Sequence, residues 1–144
     1  MARYLSREAT TEAIEQINKD KDHLEKAKLL TGKFVLRVLD TPDAKDLLIT
    51  YNFDKGRCVD LTYEEAAAPC KALRERRFRP MVDGLARVTA GYATMVKLDK
   101  GEMEPADALK SPDYQLEGNT LMMMPLMQAI DSWNRKVRAI PKEY

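Results

Sequence analysis

The chain has 144 residues, of which 44% are hydrophobic and 33% are charged, and its formal net charge is +1. This length and composition are typical of one globular domain covering residues 1–144. The near-neutral charge excludes a broad electrostatic attraction to nucleic acid. No apolar run reaches the length of a membrane span, and the first residues have no apolar core of a secretory signal. We therefore expect a cytoplasmic protein that binds no nucleic acid and touches a membrane at most transiently.

Potential metal ligands and reactive groups are few. Cys58 and Cys70 do not form a Cys-x-x-Cys motif, and we expect both to be free thiols. His23 is the only histidine, and its charged surroundings predict a solvated side chain. A metal site would need more ligands, and no phosphate-binding or nucleophile motif is present. We expect no metal, no cofactor and no catalytic residue.

The amino-terminal segment has the spacing of an amphipathic helix. The pattern predicts one helix from Ser6 to Leu30, which ends at Gly32. Its polar face mixes acids with bases, which is typical of a helix packed on a sheet rather than on a membrane. The apolar stripe consists of Ala13, Ile14, Ile17, Leu24 and Ala27.

Three strands are predicted next. In the first, Phe34, Leu36 and Val38 alternate with the other residues of 35–39, and in the second Leu47, Ile49, Tyr51 and Phe53 share one face. A hairpin signal, Asp54-Lys55-Gly56, leads into a third short strand, Cys58 to Leu61, with Val59 and Leu61 pointing inward. The short connections predict an antiparallel meander.

The segment after the meander gives mixed signals. Residues 62–65 have the form of a capping box, which predicts the start of a helix that Pro69 breaks. The basic run at residues 74–79 is expected to be a solvated loop, since one short run is a weak signal for an anion site. A fourth strand is predicted from Met81 to Val88, with a bulge or bend at Gly84.

The second half alternates short helices with a strand. A helix from Tyr92 to Leu98, with Met95 and Val96 also apolar, ends at Lys100-Gly101. A short helix, Ala106 to Leu109, follows Pro105, and residues 114–117 alternate like a half-buried strand. The last helix is capped by Asn119, and its apolar face comprises Met122, Leu126, Ile130, Trp133 and Val137.

Pro125 gives this last helix two alternative descriptions. If the helix starts at Asn119, Pro125 lies beyond the first turn and kinks it. If the helix starts near Met124, Pro125 lies in its first turn, and Met122 and Met123 belong to a loop.

The order of motifs in the last third of the chain resembles the sterol carrier protein lipid-binding family. In that family a helix ends in Lys-Gly-Glu, a short helix follows a Pro, and a strand with a Gly-Asp or Gly-Asn end precedes an apolar carboxy-terminal helix. The matching segments here are Lys100-Gly101-Glu102, Pro105 to Leu109, Ser111 to Tyr114 and Leu116-Glu117-Gly118-Asn119. The amino-terminal helix and three strands fit the family's order of elements more loosely.

Periodicity alone predicts an α+β protein with a mixed five-stranded sheet covered by helices. The resemblance implies in addition an apolar tunnel between the sheet and the carboxy-terminal helix. It implies non-catalytic binding and transfer of a sterol, a fatty acyl chain or a similar apolar molecule. Methionine is flexible enough to line such a site. The candidate ligand contacts are Tyr51, Phe53, Met95, Leu98, Met122, Met123, Leu126, Met127 and Ile130.

Two other functions are compatible with the sequence. One is a small-molecule isomerase or hydrolase that uses a carboxylate and a tyrosine in the same pocket. The other is an interaction module with a filled core and no ligand, which dimerises through the methionine-rich helix. The sequence is compatible with a monomer or a homodimer, and Trp133 and Tyr114 are either pocket or core residues.

Overall fold

The computed structural model describes all residues, 1–144, and confirms the predicted α+β class with a mixed five-stranded sheet. The helices are α1 Arg7–Ile17, α2 Lys21–Lys26, α3 Lys71–Arg74, α4 Tyr92–Lys100, α5 Pro105–Ala108, α6 Thr120–Met123 and α7 Met127–Ala139. The strands are β1 Gly32–Leu39, β2 Lys45–Asp54, β3 Arg57–Ala67, β4 Ala86–Gly91 and β5 Gln115–Gly118.

The strands lie in the order β3-β2-β1-β4-β5. β1 to β3 form the predicted antiparallel meander, whereas β4 runs parallel to β1, with Ala86 opposite Phe34. β5 closes the sheet antiparallel to β4. A parallel neighbour requires a long connection, which is supplied by residues 68–85 between β3 and β4.

The predicted single amino-terminal helix is wrong, because two helices occupy this segment. α1 ends at Ile17, and α2 begins after Asp20. The Asp20 carboxylate accepts a hydrogen bond of 3.0 Å from the His23 backbone N–H. This side-chain cap starts α2 and so favours a break in the chain over a continuation of α1.

The third strand differs from its prediction in length and in facing. Residues 62–65 form strand rather than helix, since Glu64 pairs with Leu48 of β2. Val59 was predicted to point inward but is 58% exposed. It is the extra residue of a bulge, where Phe53 pairs with Cys58 and the next pair joins Asn52 to Asp60.

The fourth strand begins later than predicted. Residues before Ala86 form a turn, in which the Met81 N–H donates to the Gly84 carbonyl over 2.8 Å. Arg74, expected in a solvated loop, instead binds the buried Asp46 carboxylate, with Nε 2.7 Å from Oδ2. Arg74 and Phe78 therefore pack towards the sheet, whereas Glu75, Arg76, Arg77 and Arg79 are exposed, as expected of a solvated loop.

The carboxy-terminal elements follow the predicted order. α4 ends at Gly101, whose φ of 76° is left-handed, and the Asn119 side chain accepts from the Met122 N–H. Pro125 lies in a 3₁₀ turn, Met124–Leu126, between α6 and α7. Each alternative for Pro125 is thus half right: a helical turn starts at Asn119, and the long helix starts just after the proline.

Both faces of the sheet are covered. On one face α1, α2, α4 and α7 enclose the main core, to which β2 contributes Ile49, Tyr51 and Phe53. On the other face Val35 and Leu48 pack with Leu73 of α3. None of the helices has the length and apolar character needed to cross a membrane.

Candidate ligand-binding site

Three aromatic rings form the centre of the main core. Tyr51 and Phe53 alternate onto the same face of β2 and lie parallel, with ring centroids 6.2 Å apart. Trp133 of α7 meets both rings edge-on, at 5.8 Å from Tyr51 and 5.0 Å from Phe53. Edge-to-face contacts at these distances are favourable for aromatic pairs, so they hold α7 against the sheet.

A pocket of about 40 Å³ lies beside this cluster, between α1, β2, α7 and the chain termini. Nine of its 13 lining residues are hydrophobic. Ala9 and Ala13 leave the space because they present small side chains on the same side of α1, one helical turn apart. A water needs about 10–15 Å³ of such volume, so the pocket as it stands holds a few waters and no lipid.

Besides Tyr4, the hydroxyl-bearing side chains of Thr10 and Tyr51 line the pocket. Thr10 of α1 is 5% exposed, and its Oγ1 makes no hydrogen bond. The Tyr51 hydroxyl is near enough to Thr10 to be influenced by it, and burial raises the pKa of Tyr51 above its ordinary value. Tyr51 is therefore a neutral donor in the pocket at any physiological pH.

The last five residues, Ile140 to Tyr144, form a strap over the pocket. Ile140, Pro141 and Lys142 line it, and the Tyr4 N–H donates to the Glu143 carbonyl over 2.7 Å. Asp99, at the end of α4, fastens the strap, since its Oδ2 lies 2.7 Å from Lys142 Nζ and accepts a hydrogen bond from the Tyr144 hydroxyl.

No protein-family model matches the chain, and no curated protein matches it. Among solved structures, the crystal structure of sterol carrier protein 2 superposes with a TM-score of 0.73 at 18% identity, covering 96% of this chain and 100% of that one. The chain has a sterol carrier protein 2-like fold.

Two further solved structures agree with this. A conserved hypothetical protein from Thermus thermophilus matches with a TM-score of 0.72 at 18% identity, over 99% of this chain and 92% of that one. Apo sterol carrier protein 2 from Yarrowia lipolytica matches with a TM-score of 0.55 at 12% identity, over 92% and 89%. The resemblance drawn from the carboxy-terminal motifs is thus confirmed at the level of the fold.

Within this sterol carrier protein 2-like fold, the residues nominated from the sequence divide by burial. Tyr51, Phe53, Met95, Met123 and Leu126 are buried, and Leu98 and Ile130 are half-buried. Met122 and Met127 are 49% and 52% exposed. One hydrophobic cluster joins Tyr51, Phe53, Met95, Leu126 and Ile130, but of the nine residues only Tyr51 lines the pocket.

Sequence reasoning missed the side of the pocket formed by α1. Ala9, Thr10 and Ala13 line it, but the apolar stripe only showed that this helix packs on something. The available sequence signal for a cavity was the pair of small residues Ala9 and Ala13, four positions apart, next to Thr10. The strap residues carried no signal, because their position depends on contacts with Asp99 and the amino terminus.

The other titratable groups of the core lie outside the pocket lining. His23, predicted to be solvated, is 0% exposed, and its Nδ1 lies 2.8 Å from Ser132 Oγ on α7. Cys58 and Cys70 are free, and burial raises the pKa of the Cys58 thiol to about 11. Such a thiol is largely protonated and unreactive near neutral pH. The one hydrogen-bonded carboxylate–tyrosine pair, Asp99 with Tyr144, belongs to the strap.

Proposed function

We propose that this protein binds and transfers an apolar small molecule, such as a sterol or a fatty acyl chain, without changing it chemically. The observation that carries the proposal is the apolar pocket between α1, β2 and α7, roofed by a strap of only five residues. The sterol carrier protein 2-like fold supports it, because solved structures of sterol carrier protein 2 share this fold.

Ligand entry would enlarge the pocket by moving α7 away from the sheet. Each buried methylene contributes about 0.8 kcal/mol, so ten of them contribute about 8 kcal/mol. Breaking one aromatic contact of Trp133 costs about 0.5–1.5 kcal/mol beyond its area. The buried ligand therefore more than offsets the specific aromatic contribution of this contact. The opened space would form the apolar tunnel implied by the resemblance.

The nine residues nominated from the sequence remain the proposed ligand contacts. Tyr51 already lines the pocket, and Phe53, Met95, Leu126 and Ile130 belong to the adjoining cluster. The others would surround an opening near the start of α7: Leu98, Met122, Met123 and Met127.

The pocket favours a carrier over an enzyme. Glu12 is the single carboxylate in its lining, and this exposed side chain forms no hydrogen bond with a tyrosine. General acid–base catalysis requires such groups within hydrogen-bond reach of the reacting atoms. The two free cysteines support a cytoplasmic place of action.

The test is native mass spectrometry of protein purified without detergent, with organic extraction of any adduct. We expect a lipid-sized adduct on the wild type and its loss in Ala13→Phe, which fills the pocket. Ala93→Phe is the matched control, because Ala93 is exposed on another helix. A bare mass, with no binding from a panel of fatty acids, alcohols and sterols, would overturn the proposal. A bare dimer would favour the interaction module.

A further inference from the structure

Two adjacent threonines of α1 differ in the hydrogen bonding of their hydroxyl groups. The Thr11 hydroxyl donates to the Arg7 carbonyl one turn earlier, over 2.9 Å, as threonines in helices commonly do. The Thr10 hydroxyl is buried and makes no hydrogen bond at all. A buried polar group without a hydrogen-bond partner destabilises the fold. Because the Thr10 hydroxyl lines the pocket, a bound ligand could supply that partner.

Tyr51 places a second hydroxyl in the same pocket, beside that of Thr10. The hydroxyls of Tyr63, Tyr92 and Tyr144 each donate to a protein carbonyl or carboxylate. Tyr51 makes no such bond, although its ring lies deep in the core and is fixed by Phe53 and Trp133. The Thr10 and Tyr51 hydroxyls therefore sit together on facing elements, α1 and β2, of one pocket.

The charges around the pocket favour an uncharged guest. Lys142 is the only cation in the lining, and Asp99 already neutralises it over 2.7 Å. A buried carboxylate on the ligand would have no free cation, and burying an unpaired charge is far more costly than burying a hydroxyl. A hydroxyl can both donate and accept, which matches two groups that do the same.

We propose that Thr10 and Tyr51 form a polar anchor that selects apolar ligands carrying a single uncharged hydroxyl group. The anchor rests on the proposed carrier function and deepens it by naming the ligand class. The ligand hydroxyl supplies the missing partner of Thr10 and bonds to the neighbouring Tyr51 hydroxyl, while its apolar body extends along the aromatic cluster beneath α7.

The test compares three probes of equal chain length: dodecanol, its methyl ether and dodecanoate. Trp133 is the only tryptophan and touches the pocket, so its fluorescence reports binding. We expect the wild type to bind dodecanol more tightly than either other probe. Thr10→Val, which keeps the shape, should weaken dodecanol binding three- to tenfold, the contribution of one neutral hydrogen bond. It should weaken the methyl ether less, because the ether oxygen can accept a hydrogen bond but cannot donate one, and Tyr51→Phe should act in the same way.

Thr11→Val is the matched control, because this exposed neighbour does not line the pocket. Thr10→Val should also raise the melting temperature of the unliganded protein, since it removes a buried hydroxyl without a partner. Equal weakening of dodecanol and its ether, or a lowered melting temperature, overturns the anchor alone. Failure of the wild type to bind any probe overturns the carrier function and the anchor together.

Discussion

His23 joins two helices that the sequence places far apart. Its imidazole is fully buried, bonded to Ser132 and 5.7 Å from the Trp133 ring. The charged neighbours Asp20 and Lys136 lie 3.0 Å from each other at the edge of this contact. The charged sequence around His23 predicts exposure, but burial is decided by α7, which lies more than 100 residues later. Local periodicity carries no information on such a contact.

Burial of His23 predicts a loss of stability at mildly acidic pH. Desolvation lowers the pKa of His23 in the folded protein below 6.5, so the unfolded chain binds a proton more readily. The free energy of unfolding should therefore fall as pH drops through 6.5, with a slope of at most about 1.4 kcal/mol per pH unit for one proton. Urea unfolding between about pH 8 and about pH 5 measures this slope.

His23→Gln removes the titrating group and should flatten this slope. Ser132→Ala keeps the imidazole buried and should preserve it, at a lower overall stability. The Asp20 and Asp22 carboxyls, which face His23, have pKa values lowered below 3.8, so their contributions are lost only at more acidic pH. If the free energy of unfolding fell equally steeply with pH in wild type and His23→Gln, the acid sensitivity would not come from His23.

At the scale of elements, the strap is held by a buried ion pair. Lys142 and Asp99 have side chains only 7% and 4% exposed. Removing one partner leaves the other charge buried and uncompensated, which typically costs about 3–5 kcal/mol. We expect Asp99→Asn to lose about this much stability in urea unfolding. It should also speed dodecanol entry, followed by stopped-flow fluorescence of Trp133.

A double variant separates the effect of the strap on stability from its effect on the rate of ligand entry. Replacing both partners of a buried pair with uncharged groups is often neutral, so Asp99→Asn with Lys142→Met should regain most of the lost stability. Its strap is still unfastened, and entry should stay fast. If entry slows back to the wild-type rate when stability returns, the strap does not control access.

Elements that follow from local chemistry could be predicted, and those set by distant partners could not. Gly101 and Asn119 end and begin helices through their own conformation and side chain. Residues 62–65 match a capping box, yet pairing along the whole length of β2 makes them strand. Val59 faces outward because a bulge shifts the register at Phe53. A local helix motif does not form a helix where a neighbouring strand provides hydrogen-bond partners for its backbone N–H and C=O groups.

For the whole molecule, the order of elements was predictable and the pocket was not. The pocket brings together Ala2, Thr10, Tyr51, Trp133 and Lys142, which span almost the entire chain. Alternation places Tyr51 and Phe53 on one face of β2, since inward-facing residues of a strand repeat every second position, and the family resemblance makes them candidate ligand contacts. The empty space beside it depends on small residues of α1 and on how the termini meet.

The pocket and the sheet should respond differently to ligand. Ligand sites usually measure about 300–1,000 Å³, against about 40 Å³ here, so binding requires an opening. β1 is paired on both sides and can exchange its amide protons only through extensive unfolding, whereas α7 and the strap can open locally. We expect α7 and the strap to exchange first in unliganded protein, measured by hydrogen–deuterium exchange.

Dodecanol should slow exchange in α7 and the strap selectively, because each opening there must first release the ligand. Ala13→Phe, whose pocket is filled, should show no such slowing and controls for unspecific effects of the alcohol. Slowing confined to the sheet would place the ligand elsewhere. A uniform slowing of all elements would mean that the ligand only raises global stability and that α7 does not open to admit it. Selective slowing would identify α7 and the strap as the moving side of the site, with the Tyr51 and Phe53 rings on β2 as its fixed side.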